Sequence, residues 1–326
     1  MSLDALPAAA ALRSFRIRLG SAAIQRWPIG LTVLAGEDVE SIFPAAQPAG
    51  VAGTFSLYET GGWLIGAGGL PVESVYAPVS TRLYEELFEA VGRRHLCRIW
   101  NYLPRINSAG ADGLENYRSF SCGRSLAFER RFGREFKTRL PAGSAVGSEG
   151  DHLVVVFAAS RSAPCHCENP AQVPAYEYPT LHGPRPPSFC RATVVAEGKR
   201  RDVFVSGTAA IKGHETVALG DTRSQLGHTL ENLRHIFQVA GLGADLRAGR
   251  ADARHFKIYL RHADALADVA AVLGQEMVRP GDRVNYLRAD LCRAELNVEI
   301  EATVLGAVSR AAGNCGTGSP DPAIGA

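Results

Sequence analysis

The sequence predicts an α+β fold in two halves, with mixed sheets and helices packed on one face. Three observations carry that expectation. From Ala192 onward the pattern reads strand, strand, long helix, strand, helix, strand, strand. Inside that order Leu226, Leu230, Leu233 and Phe237 recur at helical spacing. Ahead of it, Pro164, Pro170, Pro174, Pro179, Pro184, Pro186 and Pro187 crowd one segment, a density that stops both helix and strand. The expected division is an N-terminal α+β domain over 1–160, a connecting loop over 161–191, a C-terminal domain over 192–310 and a small, polar, disordered tail over 311–326.

In chain order, Leu31–Leu34 reads as a first strand. Ser80 or Thr81 is expected to cap a helix with Leu83, Leu87 and Val91 on one face and Glu85 and Glu86 near its start. Strands follow at Leu96–Asn101 and Leu153–Ala158, separated by an Arg- and aromatic-rich segment with a turn over Phe120–Gly123. In the second half, Ala192–Val195 and Val203–Ser206 lead into a helix that Asp221 caps and Gly241 ends. Phe256–Leu260 is the next strand, and Asp264 starts a helix with Leu266, Val269, Ala270 and Leu273 inward. The final stretch, Asn285–Val304, reads as a long strand pair, with strand expected to run on through Cys292 and Glu299, seven residues apart.

Composition excludes several classes. A net charge of +2 argues against a dedicated nucleic-acid binder. No apolar run approaches the ~20 residues that a membrane helix needs, and no signal peptide is evident. Seven cysteines without framework spacing are expected to be reduced, in a cytoplasmic protein. Cys165–His166–Cys167 lacks a second pair at zinc spacing, phosphate-binding glycine motifs are absent, and the histidines form no nucleophile–base array. No metal and no cofactor are expected.

Four separated segments carry chemistry: RIWNYLPRINSAGADGLENYRSFSCGRSLAF from Arg98, YEYPTLHGPRPPSFCRAT from Tyr176, FVSGTA from Phe204 and CRAELNVEIEA from Cys292. By itself, FVSGTA followed by the Asp221 helix and its TLEN run is an ordinary strand–turn–helix. With the VEIEA strand, however, residues 201–304 resemble the RidA/YjgF imine deaminases. All four segments together, in this order, resemble the chorismatases, which release pyruvate from chorismate. That resemblance implies two RidA/YjgF-like halves with the active site between them.

Cleaving an enol ether requires a proton at the enolpyruvyl methylene, hence a carboxylic acid kept neutral by an apolar setting. Glu299 has that setting between Val298 and Ile300, and Glu301 shares its face and would raise its proton affinity. By resemblance Glu299 is the catalytic acid, and Cys292 marks an aromatising enzyme that yields 3-hydroxybenzoate foremost, with 4-hydroxybenzoate or a diene diol as the other outcomes. Residues seven apart have opposite parity in a regular strand, so a bulge or a turn near Arg293–Ala294 has to intervene if both line one site. Arg118, Arg124 and Arg191, with Tyr117 and Tyr178, are the candidate carboxylate-binding residues. By the same resemblance, Ala209 stands near a second product-determining position. Arg98, Arg105, Arg130 and Arg131 read as solvated arginines. The expected partner is a small-molecule substrate, chorismate, with a monomer and a homotrimer both open. An imine hydrolase and a non-catalytic chorismate sensor are the rival readings.

Overall fold

The computed structural model describes residues 13–20 and 25–308; the expected tail over 311–326 lies outside them. Four layers stack in the order helices, sheet, sheet, helices. The six-stranded sheet runs Gln47–Ala52, Phe55–Thr60, Trp63–Pro71, His152–Ser160, His95–Pro104, Ala142–Ser148. The nine-stranded sheet runs Cys165–Cys167, Ala192–Glu197, Arg200–Ala209, Val298–Val308, Ala253–Leu260, Arg283–Arg288, Gln25–Gly36, Arg13–Leu19, Val39–Ile42. Both are mixed, and each has its helices on its outer face. Strands from the beginning of the chain therefore pair into the second half's sheet, so hydrogen bonding crosses the division read at residue 160.

Strand alternation builds three cores. Val203 and Val205 face one helical layer while Phe204, between them, faces the other sheet. There Phe204 meets Trp63 edge-on at 5.5 Å and Trp100 at 6.4 Å. The outer cores lie beneath helices α1 (Tyr76–Val91) and α2 (Asn116–Phe132) on one side. On the other lie α3 (Thr222–Val239) and α4 (Leu266–Glu276).

The α3 expectation holds: the Asp221 carboxylate accepts the Ser224 amide at 3.0 Å, and α4 follows a short 3-10 turn at Ala263–Ala265. Three expectations are corrected. Helix α1 begins before Ser80, which lies inside it and returns its hydroxyl to the Tyr76 carbonyl. Pro78 is tolerated there because the first turn needs no intrahelical N–H donors.

The turn read at Phe120–Gly123 is the middle of α2. Its inward face, Asn116, Ser119, Phe120, Gly123, Arg124, Ala127 and Phe128, has helical spacing but mostly small or polar residues. A Cβ on Gly123 would stand 2.1 Å from the Ala77 carbonyl oxygen, so α1 packs against bare backbone.

The final strand pair is Arg283–Arg288 and Val298–Val308, and strand does not run on through Cys292, which lies in the loop over 289–297 that joins them. Leu291 and Leu296 read as strand residues because both are fully buried, but they plug the loop into the inter-sheet core.

Candidate active site

A cavity of about 770 Å³ opens where the two halves meet, walled by α2, the proline-rich loop, the strand end at Gly207–Ala209, and the 289–297 loop. Glu299 is at its floor. Val298 and Ile300 face α3 and α4, which turns Glu299 and Glu301 toward the other sheet. The two carboxylates have opposite environments. Glu301 is saturated: Arg98 donates to Oε2 at 2.7 Å, and Trp100 Nε1 and Lys257 Nζ reach Oε1 at 2.9 and 2.7 Å. Glu299 accepts no hydrogen bond among the described residues and borders the cavity. Burial, then the charge of Glu301, pushes the Glu299 carboxyl up to about 8, against the weaker pull of Arg98 and Arg191. Glu301 goes the other way, held ionised by Lys257 and Arg98 despite its burial. Lys257 also pairs with buried Glu40 at 2.7 Å, which carries the ionic chain to the first half's edge strand.

Gly207 makes room for the acid. It sits at an irregularity between Val205 and Thr208, and a Cβ there would stand 2.0 Å from Glu299 Oε1. Ala209 is the cross-strand partner of Glu299 and also lines the cavity.

The loop answers the parity question for Cys292. Released from strand geometry, Cys292 lines the same cavity as Glu299. Both halves fix this loop. Gln225, fully buried on α3, donates to the Glu295 carbonyl and accepts the Asn297 amide, each at 2.8 Å. Arg261 donates to the carbonyls of Leu296 and Arg293, and Asn107 of the first half donates to that of Leu291 at 3.0 Å. Burial, then the charge of Glu299, pushes the Cys292 thiol up to about 12, so it is a neutral S–H and not a thiolate nucleophile.

Among the sequence-derived candidates, Arg118, Arg191, Tyr117, Tyr178, Ala209, Cys292 and Glu299 converge on the cavity. Arg191 donates to the Tyr178 hydroxyl at 2.7 Å and to the Val173 carbonyl at 3.2 Å. Arg118 is half-exposed at the rim, 3.5 Å from Glu115. Arg124 does not join them. Six positions along a helix put it on another face from Arg118, where its guanidinium lies buried over the rings of Phe120 and Phe189 at 5.0 and 5.9 Å. Arg98 is corrected too: it is 1% exposed and holds Glu301.

Sequence reasoning passed over Phe189 and Arg293. Phe189 lies under Arg191 at 5.2 Å, and Arg293 lies over the Tyr178 ring at 5.4 Å while donating to Thr216 Oγ1. Both stand inside the quoted motifs, beside Arg191 and Cys292, and that adjacency was the available signal.

Comparison with known proteins gives a consistent result. Residues 42–159 match the family model described as chorismatase FkbO/Hyg5-like, N-terminal. A chorismatase from Streptomyces rapamycinicus is 38% identical over 251 residues, covering 74% of either chain. A 3-hydroxybenzoate synthase from Streptomyces hygroscopicus is 38% identical over 252 residues, covering 73% of each. A solved chorismatase structure superposes with a TM-score of 0.74 at 28% identity, covering 92% of this chain and 96% of that one.

Proposed function

Because the chain belongs to the chorismatase family, we propose that it cleaves the enolpyruvyl ether of chorismate to pyruvate and a hydroxybenzoate, 3-hydroxybenzoate foremost. One observation carries the reading. Of two neighbouring buried carboxylates, only Glu299 has no donor among the described residues and faces the cavity, and burial with the charge of Glu301 favours its protonated form. An acid with a pKa near the working pH is suited to delivering a proton to carbon.

The cavity volume lies in the range that encloses a small molecule. Arg191, preset by Tyr178 and Val173, receives one substrate carboxylate, and Arg118 at the rim receives the other. Glu299 gives its proton to the enolpyruvyl methylene. The ether carbon then becomes oxocarbenium-like, with the ionised Glu299 and Glu301 below it as the counter-charge. As the bond between the ether oxygen and the ring breaks and pyruvate leaves, the neighbouring ring hydroxyl oxygen closes onto the vacated carbon and gives its proton to Glu299. Glu299 then protonates the resulting epoxide, which opens at the carbon that first held the hydroxyl. Loss of the hydrogen from the carbon that now holds the oxygen, returned to Glu299, restores the acid and gives 3-hydroxybenzoate. Direct loss of the hydrogen from the hydroxyl-bearing carbon would instead give 4-hydroxybenzoate. Cys292 stands beside that ring as a neutral thiol and occupies space that a hydrolytic water would need.

Incubation of the purified protein with chorismate tests this directly. Pyruvate is expected from the wild type and not from Glu299→Gln, and chromatography separates 3-hydroxybenzoate from 4-hydroxybenzoate and the diene diol. A folded wild type that releases no pyruvate, or an active Glu299→Gln, refutes the reading.

A further inference from the structure

Beyond the cavity wall, next to Arg191, lies another carboxylate that catalysis does not use, on a half-buried side chain. Glu168 Oε2 is 4.0 Å from Arg191 Nε, close enough to pair in charge but too far to accept a hydrogen bond. Both Glu168 oxygens are shut off from solvent without a donor among the described residues, and so is Arg191 Nε. One guanidinium nitrogen, Nη2, is spent on Tyr178 and Val173, which leaves Nη1 with no acceptor among the described residues. The arginine thus stands between two negative positions, one permanent behind it and one in the cavity that a ligand fills.

We infer that Glu168 is the resident counter-ion of Arg191 and takes up a proton when a substrate carboxylate occupies that arginine. The inference rests on the chorismate reading above. A buried carboxylate without hydrogen bonds stays ionised only through a neighbouring positive charge. The other ionisable groups around Glu168 are Glu177, Tyr176 and Cys190, none of them cationic, so Arg191 supplies the positive charge that holds it ionised. On its cavity side Arg191 faces Glu299 and Cys292. Burial raises the Glu168 carboxyl and Arg191 lowers it, and the balance falls at about 7. A ligand carboxylate on Arg191 adds negative charge and removes much of that support, so the proton affinity of Glu168 rises on binding. The sign follows: binding consumes a proton, the uptake vanishes well below pH 7 where Glu168 is already neutral, and affinity falls as pH rises above 7. Glu168 acts through Arg191 and is a positioning residue, one that makes the pocket prefer its anion at lower pH.

Glu299→Gln protein provides the test, because it is expected to hold chorismate without turning it over and removes the titration of Glu299. Calorimetric titration with chorismate at pH 7.5, in phosphate and in Tris, reads protons from the difference in heat between the two buffers. An uptake of about 0.7 proton is expected, shrinking to about zero at pH 5.5. In the Glu168→Gln/Glu299→Gln protein the uptake should disappear while chorismate still binds. Uptake that persists in the double variant, or none in the single one, overturns the inference and leaves the chorismate reading standing. If Glu299→Gln binds no chorismate, the functional reading itself fails and takes this one with it. Should the double variant not fold, the Kd of Glu299→Gln against pH decides. A rise of up to about tenfold per pH unit above 7 supports the inference, and a flat profile refutes it.

Discussion

Replacing Glu301 by Gln should move the pH at which the enzyme loses activity, without touching the acid itself. In the proposed role Glu299 works only when protonated, so turnover is expected to be level below its pKa and to fall about tenfold per pH unit above about 8. Glu301 contributes to that value as the nearest like charge. Two residues along a strand separate the carboxylates by roughly 7 Å. At an effective dielectric constant of about 20, one unit charge at that distance is worth about 2.4 kcal/mol, or about 1.7 pH units. The alkaline limb of kcat should therefore move from about 8 to between about 6 and 6.5, and the same direction follows from Arg98 and Lys257, which lose their anion and then act on Glu299 instead. The variant should also melt earlier, because removing one partner of a buried ion pair costs on the order of 3–5 kcal/mol. Pyruvate release coupled to NADH oxidation by lactate dehydrogenase, from pH 5 to 9 in a mixed buffer and below the melting transition, reads the limb. A limb that stays near 8, or moves upward, in protein with a cooperative melt refutes the electrostatic argument.

Four further outcomes are expected. Gly207→Ala should lower kcat by about a hundredfold while the protein stays folded, since its Cβ occupies the place of the Glu299 carboxyl and small misplacements of a catalytic group carry such costs; pyruvate release and a thermal melt check both halves of the claim. Cys292→Ala should keep pyruvate release within about threefold but shift product toward the diene diol, read by chromatography, because water gains the space the thiol filled (the order-of-magnitude tolerance of a residue outside the proton path). Arg118→Ala should raise KM about tenfold with little change in kcat, the pattern of a contact made equally in ground and transition states. Phe204→Ala, which removes the ring between Trp63 and Trp100, should destabilise the fold by about 3–5 kcal/mol in urea titration.

How much of this was readable in the sequence depends on whether a signal was local. Glu299 was readable because a charge between Val298 and Ile300 contradicts its surroundings within three residues. Helix α3 was readable because its buried face is leucine and phenylalanine. Helix α2 was not, because its buried face is fitted to the backbone of α1 and therefore mostly small or polar, with only Phe120 and Phe128 as large apolar residues. The loop over 289–297 hid for the opposite reason: its two anchors are leucines, which in sequence look like the strand they interrupt. Arg98 was misread because its partner lies 203 residues away, and no window of sequence contains both ends of such a pair.

That last pair shows why the site requires both sheets. Burial raises the proton affinity of Glu299, and the proton settles there and not on Glu301 because Glu301 is the one held ionised; two unassigned carboxylates would share a single proton between them. The assignment is made from the opposite layer, by Arg98 and Trp100 of the six-stranded sheet, with Lys257 completing the shell from the strand alongside. Cys292 is held by the same logic, with Gln225 and Arg261 on one side and Asn107 on the other. A strand like Val298–Val308 alone would present two equivalent acids to solvent. Facing it with a second sheet whose Arg98 and Trp100 reach only one of them, with Lys257 alongside, makes the pair unequal, which is what the proposed proton donor and its permanent counter-charge require.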